Sequence, residues 1–312
     1  MRRLLLTAAL AIALTGCSAG SAEKDTTVVI PEGASLTRAA NILEEAGAIG
    51  NADAFVRNAK IFGGGSKIKP GEYEIKKGMS ASDVMTLIES GKTKQRFVTV
   101  PEGMPSILVY EKLMAEPNLT GEIAVPEEGT LLPDTYSFQK GEPRAAVVKR
   151  MQAAMDKTFD QLWARKSPDS VVKNRNEAIT LASIVEKETG VPAERTTVAG
   201  VYSNRLTQGI KLQADPTIIY PVTKGKPLGR RILRSEIDAV NDYNTYAMVG
   251  LPKGPIANPG KLSIEAVLNP KKTNYLYFVA KGDGGHVFAE TLAEHNANVE
   301  KWYEIRRSRG EM

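Results

Sequence analysis

The chain has 312 residues, long for a single core and sufficient for two domains. Hydrophobic residues make up 42% and charged residues 25%, a globular composition that argues against long disorder. The 41 basic and 36 acidic residues leave a net charge of +5, dispersed along the chain, which suits work near anionic lipid or an anionic polymer and does not require nucleic acid. Cys17 is the only cysteine and only two histidines accompany it, so an intramolecular disulfide is excluded. A metal site is not expected from so few ligands, and the one-carboxyl chemistry considered below requires no cofactor.

Arg2 and Arg3 precede an apolar run from Leu4 to Leu14. That run is too short for the roughly 20 residues of a spanning helix and reads as a secretory signal. It ends Leu14-Thr15-Gly16-Cys17, which resembles the bacterial lipobox, with Cys17 as the lipidation site. Residues 1–17 are therefore expected as a signal peptide or membrane anchor, and residues 18–25, small and polar, as a linker. The rest of the chain is expected outside the cytoplasm, tethered to a membrane.

Thr26 to Ile30 is rich in β-branched residues and reads as a strand, broken by Pro31-Glu32-Gly33. Ser35 then caps a helix with Leu36, Ala39, Ala40 and Leu43 at helical spacing, and Gly47 ends it. A second helix follows near Ala52 to Ala59, and Gly63-Gly64-Gly65 is a turn. Lys69 to Tyr73 leads into a returning strand, and Ser80 caps a helix carrying Val84, Leu87 and Ile88. Strand, helix pair and returning strand resemble the LysM type of small carbohydrate-binding module, with the phrase KPGEYEIKKGMS as its strongest cue. A LysM-like subdomain is expected over residues 26–97.

Phe97 to Val100 reads as another strand, followed by Pro101-Glu102-Gly103. The echo of Pro31-Glu32-Gly33 is read as common turn chemistry rather than duplication. A larger catalytic domain is expected over residues 98–312. It opens into longer helices, among them Ala145 to Ala164, with Val148, Met151, Met155 and Phe159 on one face. Leu212 to Pro259 reads as mostly irregular, and long ordered loops are usually functional. Asn274 to Ala280 reads as a strand and Leu292 to Arg306 as the last helix; Trp163 and Trp302 fall on apolar helix faces. The fold class is α+β.

The stretch NEAITLASIVEKETG places Ala178, Leu181, Ala182 and Val185 on one face of a helix. At about 100° per residue, Lys187 points nearly opposite that face, with Glu186 and Glu188 on its two sides. Both carboxyls sit in the last turn. The negative end of the helix dipole and partial burial favour their protonated forms. A protonated carboxyl near neutral pH is what a leaving glycosidic oxygen needs. These arguments alone do not choose between Glu186 and Glu188.

LASIVEKETG (181–190), VYSNRL (201–206), LQADPTIIY (212–220) and YNTYAMVGLPKGPIANPG (243–260) resemble the MltG (YceG-like) family of endolytic peptidoglycan transglycosylases. EGTLLPDTY (128–136) and YLYFVAKGDGGHVFAETLAEHN (275–296) do so as well. The motifs stand in family order from about residue 26 to 303.

The resemblance implies an enzyme on the periplasmic side that cleaves MurNAc–GlcNAc β-1,4 bonds within nascent glycan strands and leaves 1,6-anhydro-MurNAc ends. It implies Glu188 as the catalytic residue, with Glu186 as runner-up. Gln213, Asp215, Asn244, Tyr246, Asn258 and His286 are expected to bind substrate from polar loops; Asp215 is also a candidate second carboxylate for a hydrolase. Implied partners are peptidoglycan strands, the membrane and cell-wall synthases. The family habit favours the inner membrane; Ser18 after a lipidated cysteine permits the outer one. The rival readings are a non-catalytic peptidoglycan-binding lipoprotein and a scaffold of the cell-wall synthesis complex.

Overall fold

The computed structural model describes residues 19–62, 64 and 68–311. The expected signal sequence and Cys17 lie outside the described residues. Among the described residues, no helix is long and apolar enough to cross a membrane. The chain divides into two compact units, the first ending at Arg96 and the second starting at Phe97.

In the first unit, β1 (Thr26–Ile30) leads through α1 (Leu36–Glu45) and α2 (Ala52–Phe62) to β2 (Gly71–Ile75). The strands pair antiparallel, Thr26 opposite Ile75 and Ile30 opposite Gly71. Val28 and Ile30 alternate inward onto Ala39, Ala40 and Leu43 of α1, as a half-buried strand should. The Ser35 hydroxyl accepts the Arg38 amide at 3.2 Å and caps α1. Ser80 and Asp83 form a reciprocal capping box that starts α3 (Ala81–Ser90).

Part of the expected linker is packed. Ala19 and Ala22 are buried in the core of this unit, and Ser21 bridges Ser80. The small residues here allow backbones to approach. Gly20 has φ +75°, and a Cβ there would lie 2.8 Å from the Gly50 amide nitrogen.

The second unit opens with β3 (Arg96–Thr99), α4 (Ser106–Ala115) and β4 (Thr135–Phe138), with β3 and β4 paired. Helices α5 (Arg144–Trp163), α6 (Arg175–Glu188) and α7 (Arg195–Thr207) follow, with a 3-10 turn at Pro192–Glu194. The stretch expected as irregular contains α8 (Asp215–Thr223) and α9 (Arg234–Asp238). Pro216 does not forbid α8, because a proline in the first turn sacrifices no helical hydrogen bond. The chain ends with α10 (Lys261–Leu268), the antiparallel hairpin of β5 (Tyr277–Ala280) and β6 (His286–Ala289), and α11 (Leu292–Ser308).

Helix α6 is the axis of this unit, with α7, α8 and α10 packed against it and α5 joining the same core through α10. Every residue from Ala178 to Val185 is buried, not only the one face that the spacing picks out. Thr180 and Ser183 sit among them, and the Ser183 hydroxyl accepts the Ile256 amide at 3.0 Å. A helix enclosed on all sides carries its last residues into the body of the protein. That is how Glu186 and Glu188 come to be sheltered.

Candidate active site

Glu188 ends α6 and looks into a cleft of about 320 Å³ lined also by Tyr202, Arg205, Gln213, Asp215, Tyr246 and His295. Its Oε1 is buried with no hydrogen-bond partner among the described residues. Burial pushes its pKa up, the Asp215 carboxylate pushes the same way, and the Tyr202 hydroxyl and Arg205 oppose them; the outcome is about 7. A rise from 4.5 to about 7 corresponds to roughly 3 kcal/mol in favour of the protonated form. The protein thus holds a carboxylic acid, poised near neutral pH, against open space.

The walls of the cleft come from distant segments. Tyr202 and Arg205 lie three apart on α7, hence on one face. Arg205 is fastened to the Leu276 carbonyl at 2.7 Å and the Leu212 carbonyl at 2.8 Å, and lies over the Tyr277 ring at 5.3 Å. These bonds tie the loop before α8 to the start of the β5–β6 hairpin. Gln213 has φ +52° and donates its amide to the Thr245 carbonyl at 3.2 Å. The Thr245 hydroxyl accepts the Ala214 amide at 3.0 Å. This strap brings Asp215 to Tyr246, whose hydroxyl donates to the Asp215 carboxylate at 2.6 Å. His295 stacks on Tyr277 at 5.2 Å, and its Nδ1 is buried without a partner among the described residues. Burial and the charge of Arg205 lower its pKa, favouring the neutral ring.

Of the residues expected in the site, Glu188, Gln213, Asp215 and Tyr246 converge on this cleft, and three others do not. Asn244 is fully buried, and its amide nitrogen donates to the carbonyls of Ile237 and Ala239 at 2.9 and 2.6 Å, closing the end of α9. Asn258 is fully buried too. It accepts the Leu131 amide at 3.1 Å and donates to the Met104 carbonyl and the Ser106 hydroxyl at 3.0 Å each. Both loops look functional in sequence because they are polar, yet the amides satisfy backbone groups that burial would otherwise orphan. His286 binds Glu194 through Nδ1 at 2.8 Å and meets the ring of Phe278 edge-on at 5.2 Å, behind the cleft wall that Phe278 forms.

Glu186 is committed elsewhere. It pairs with Arg195 at 3.1 Å and accepts the Gly260 amide at 2.9 Å. Arg195 also holds Glu102 at 3.2 Å and Ser263 at 3.1 Å. Glu186 therefore anchors the end of α6, whereas Glu188 faces the cleft. Tyr202, Arg205, Phe278 and His295 were not singled out from the sequence. The i, i+3 spacing within VYSNRL carries a signal for the first two; nothing local marks His295.

The sequence profile described as the YceG-like family matches residues 28–301. The chain is 33% identical to the endolytic murein transglycosylase of Bacillus subtilis over 88% of its own length and 83% of that protein. It is 30% identical to the protein of the same name from Streptococcus pneumoniae strain D39, over 89% of this chain, and spans 58% of that longer protein. A crystal structure of a yceG-like protein from Listeria monocytogenes superposes with a TM-score of 0.55 at 28% identity, covering 88% of this chain and 99% of that one. With five of its six motifs lining one cleft, and most of its length matched in sequence and in fold, this chain belongs to the YceG-like family.

Proposed function

We propose that this protein is an endolytic murein transglycosylase. It cleaves MurNAc–GlcNAc β-1,4 bonds inside nascent peptidoglycan strands and leaves 1,6-anhydro-MurNAc ends, ending strand elongation. The observation that carries the reading is Glu188, a sheltered carboxyl with a pKa of about 7 and an unpartnered oxygen facing an open polar cleft. The similarity to endolytic murein transglycosylases of Bacillus subtilis and Streptococcus pneumoniae supports it.

In the first half of the reaction Glu188 donates its proton to the bridging oxygen as the bond from that oxygen to the muramic C1 breaks. In the second, the muramic C6 hydroxyl oxygen bonds to C1 and gives its proton to the Glu188 carboxylate. The acid is regenerated and no water is consumed. Removing one positioned acid–base group typically costs 10²–10⁴-fold in rate. The Tyr202 hydroxyl bonds the Glu188 carboxyl and the Arg205 charge acts on it; Asp215, with Tyr246, supplies negative charge that favours the positive oxocarbenium character of the transition state.

The same cleft supports a second reading, because Asp215 is a second carboxylate within it. If Asp215 activated water, the products would be reducing ends. The rest of the reading follows the same lines: an envelope location, attachment through the N-terminal segment with Cys17 as lipid acceptor, a first unit that binds glycan as LysM modules do, and cell-wall synthases as neighbours.

The test is mass spectrometry of muropeptides after the full chain is incubated in detergent with uncrosslinked glycan strands. Anhydro ends formed by the wild type and absent with Glu188→Gln are expected. Reducing ends would replace the lyase with the Asp215 hydrolase. Binding without any cleavage would leave a glycan-binding lipoprotein or a scaffold.

A further inference from the structure

A second and larger cavity, of about 460 Å³, lies within the second unit and is not used by the mechanism above. That volume suits a small ligand or a short peptide. Its walls are apolar: Met104, Pro105, Leu108, Ile219, Leu228 and Ile256. Three charged side chains interrupt them, Lys187, Lys226 and Glu102. Lys187 reaches the Gly103 carbonyl at 3.5 Å and has no carboxylate within 4 Å among the described residues. Lys226 pairs with Glu111 at the surface, an exchangeable contact worth little. Glu102 keeps nearly half of its side chain exposed beside Arg195.

The position of this cavity is as informative as its lining. Lys187 precedes Glu188 at the end of α6, and Pro216 follows Asp215 at the start of α8. Glu188 and Asp215 line the polar cleft; Lys187 and Pro216 line the apolar cavity. The last turn of α6 and the first turn of α8 therefore form a wall common to the two spaces. A polymer seated in the cleft would carry whatever branches from the reacting sugar over that wall. On murein, the branch is the short peptide joined to the muramic lactyl group. It has methyl side chains, free carboxylates and, at its diamino acid, a free amine.

We propose that this cavity is the subsite for the stem peptide of the muramic residue at the cleavage point. This rests on the transglycosylase reading for the identity of the polymer. The apolar walls take the alanine methyls, Lys187 and Lys226 the peptide carboxylates, and Glu102 the amine. The protein would then recognise peptide-bearing strands rather than bare glycan, which assigns it strands to which no amidase has yet been applied.

Two measurements test it on the full chain. The first compares kcat/KM on uncrosslinked strands with that on the same strands stripped of peptide by an amidase. One charge-assisted contact in a sheltered site makes about a tenfold preference for the peptide-bearing strands the expectation for the wild type. In Lys187→Met and Leu108→Glu that ratio falls toward one. Equal rates for the wild type on both strands overturn the subsite while leaving the lyase intact. The second is calorimetry of N-acetylmuramoyl tetrapeptide against N-acetylmuramic acid, with the Glu188→Gln protein and with Glu188→Gln combined with Lys187→Met. Binding that needs the peptide and weakens with Lys187→Met supports the subsite even if neither strand is cleaved, an outcome that would sink only the lyase. Equal heats for the two ligands overturn it.

Discussion

The Arg195 guanidinium binds the Glu186 carboxylate at 3.1 Å, two residues before Glu188 in the same helical turn. Both partners are nearly inaccessible, at 7% and 5% side-chain exposure. Breaking a buried pair leaves an uncompensated charge and costs about 3–5 kcal/mol. Arg195→Met should therefore lower unfolding stability by about that much in urea titrations. Glu186→Gln should destabilise as well, yet leave the pH at which activity falls where it is in the wild type. A shifted profile would make Glu186 a participant in proton transfer.

The acid must carry its proton for the first half-reaction, so activity should fall as pH rises through about 7, the pKa of Glu188. The Asp215 charge is the second cause of that elevation, after burial. Asp215→Asn removes it, so the pKa drops and the alkaline limb of kcat moves to lower pH. A limb that stays fixed would show that Asp215 does not act on Glu188.

Glu188 also predicts a trade of stability for function. Its folded pKa of about 7 lies above the ordinary 4.5 of an unfolded chain. The folded state therefore has its full stability from this group below pH 4.5 and loses it as pH rises to 7. Glutamine mimics the protonated acid at every pH. Glu188→Gln should be more stable than the wild type at pH 8, by on the order of 2–3 kcal/mol, and no more stable at pH 4. Equal melting temperatures at pH 8 would mean that the carboxylate is better solvated than its burial implies.

Asn258 should behave as a structural residue. Its buried amide joins Leu131, Met104 and Ser106, more than a hundred residues away in sequence. Asn258→Ala strands those groups at about 1–3 kcal/mol each before relaxation. The melting temperature should fall by several degrees while KM for glycan changes little. A large rise in KM with an unchanged melting temperature would return Asn258 to the cleft.

Much of the local structure is legible in the residues themselves. Ser35 and Ser80 mark the starts of α1 and α3 through side-chain bonds three residues away, an interaction that sequence spacing alone specifies. β1 and β2 show in their alternation, and α6 in its apolar period. The failures share a cause. Within the small, polar segment before β1, Ala19 and Ala22 are buried, because composition does not say what a small residue lies against. α8 lies in the stretch expected as irregular, and it forms although Pro216 stands in its first turn and Pro221 inside it.

The sequence by itself determined the helix that ends in two glutamates, the motifs shared with the YceG-like family, and the candidacy of Glu188. Only the tertiary structure decided which glutamate is free. The Arg195 that engages Glu186 comes from the next helix, and the Gly260 amide from a loop 74 residues on. It also decided that Asp215 and Tyr246 meet in the cleft with Tyr202, Arg205 and His295, while Asn244 and Asn258 turn inward to the backbone. Periodicity and capping act within a few residues of chain. Desolvation and hydrogen bonding at a site depend on which distant groups the fold brings within about 3 Å, and no local pattern encodes that.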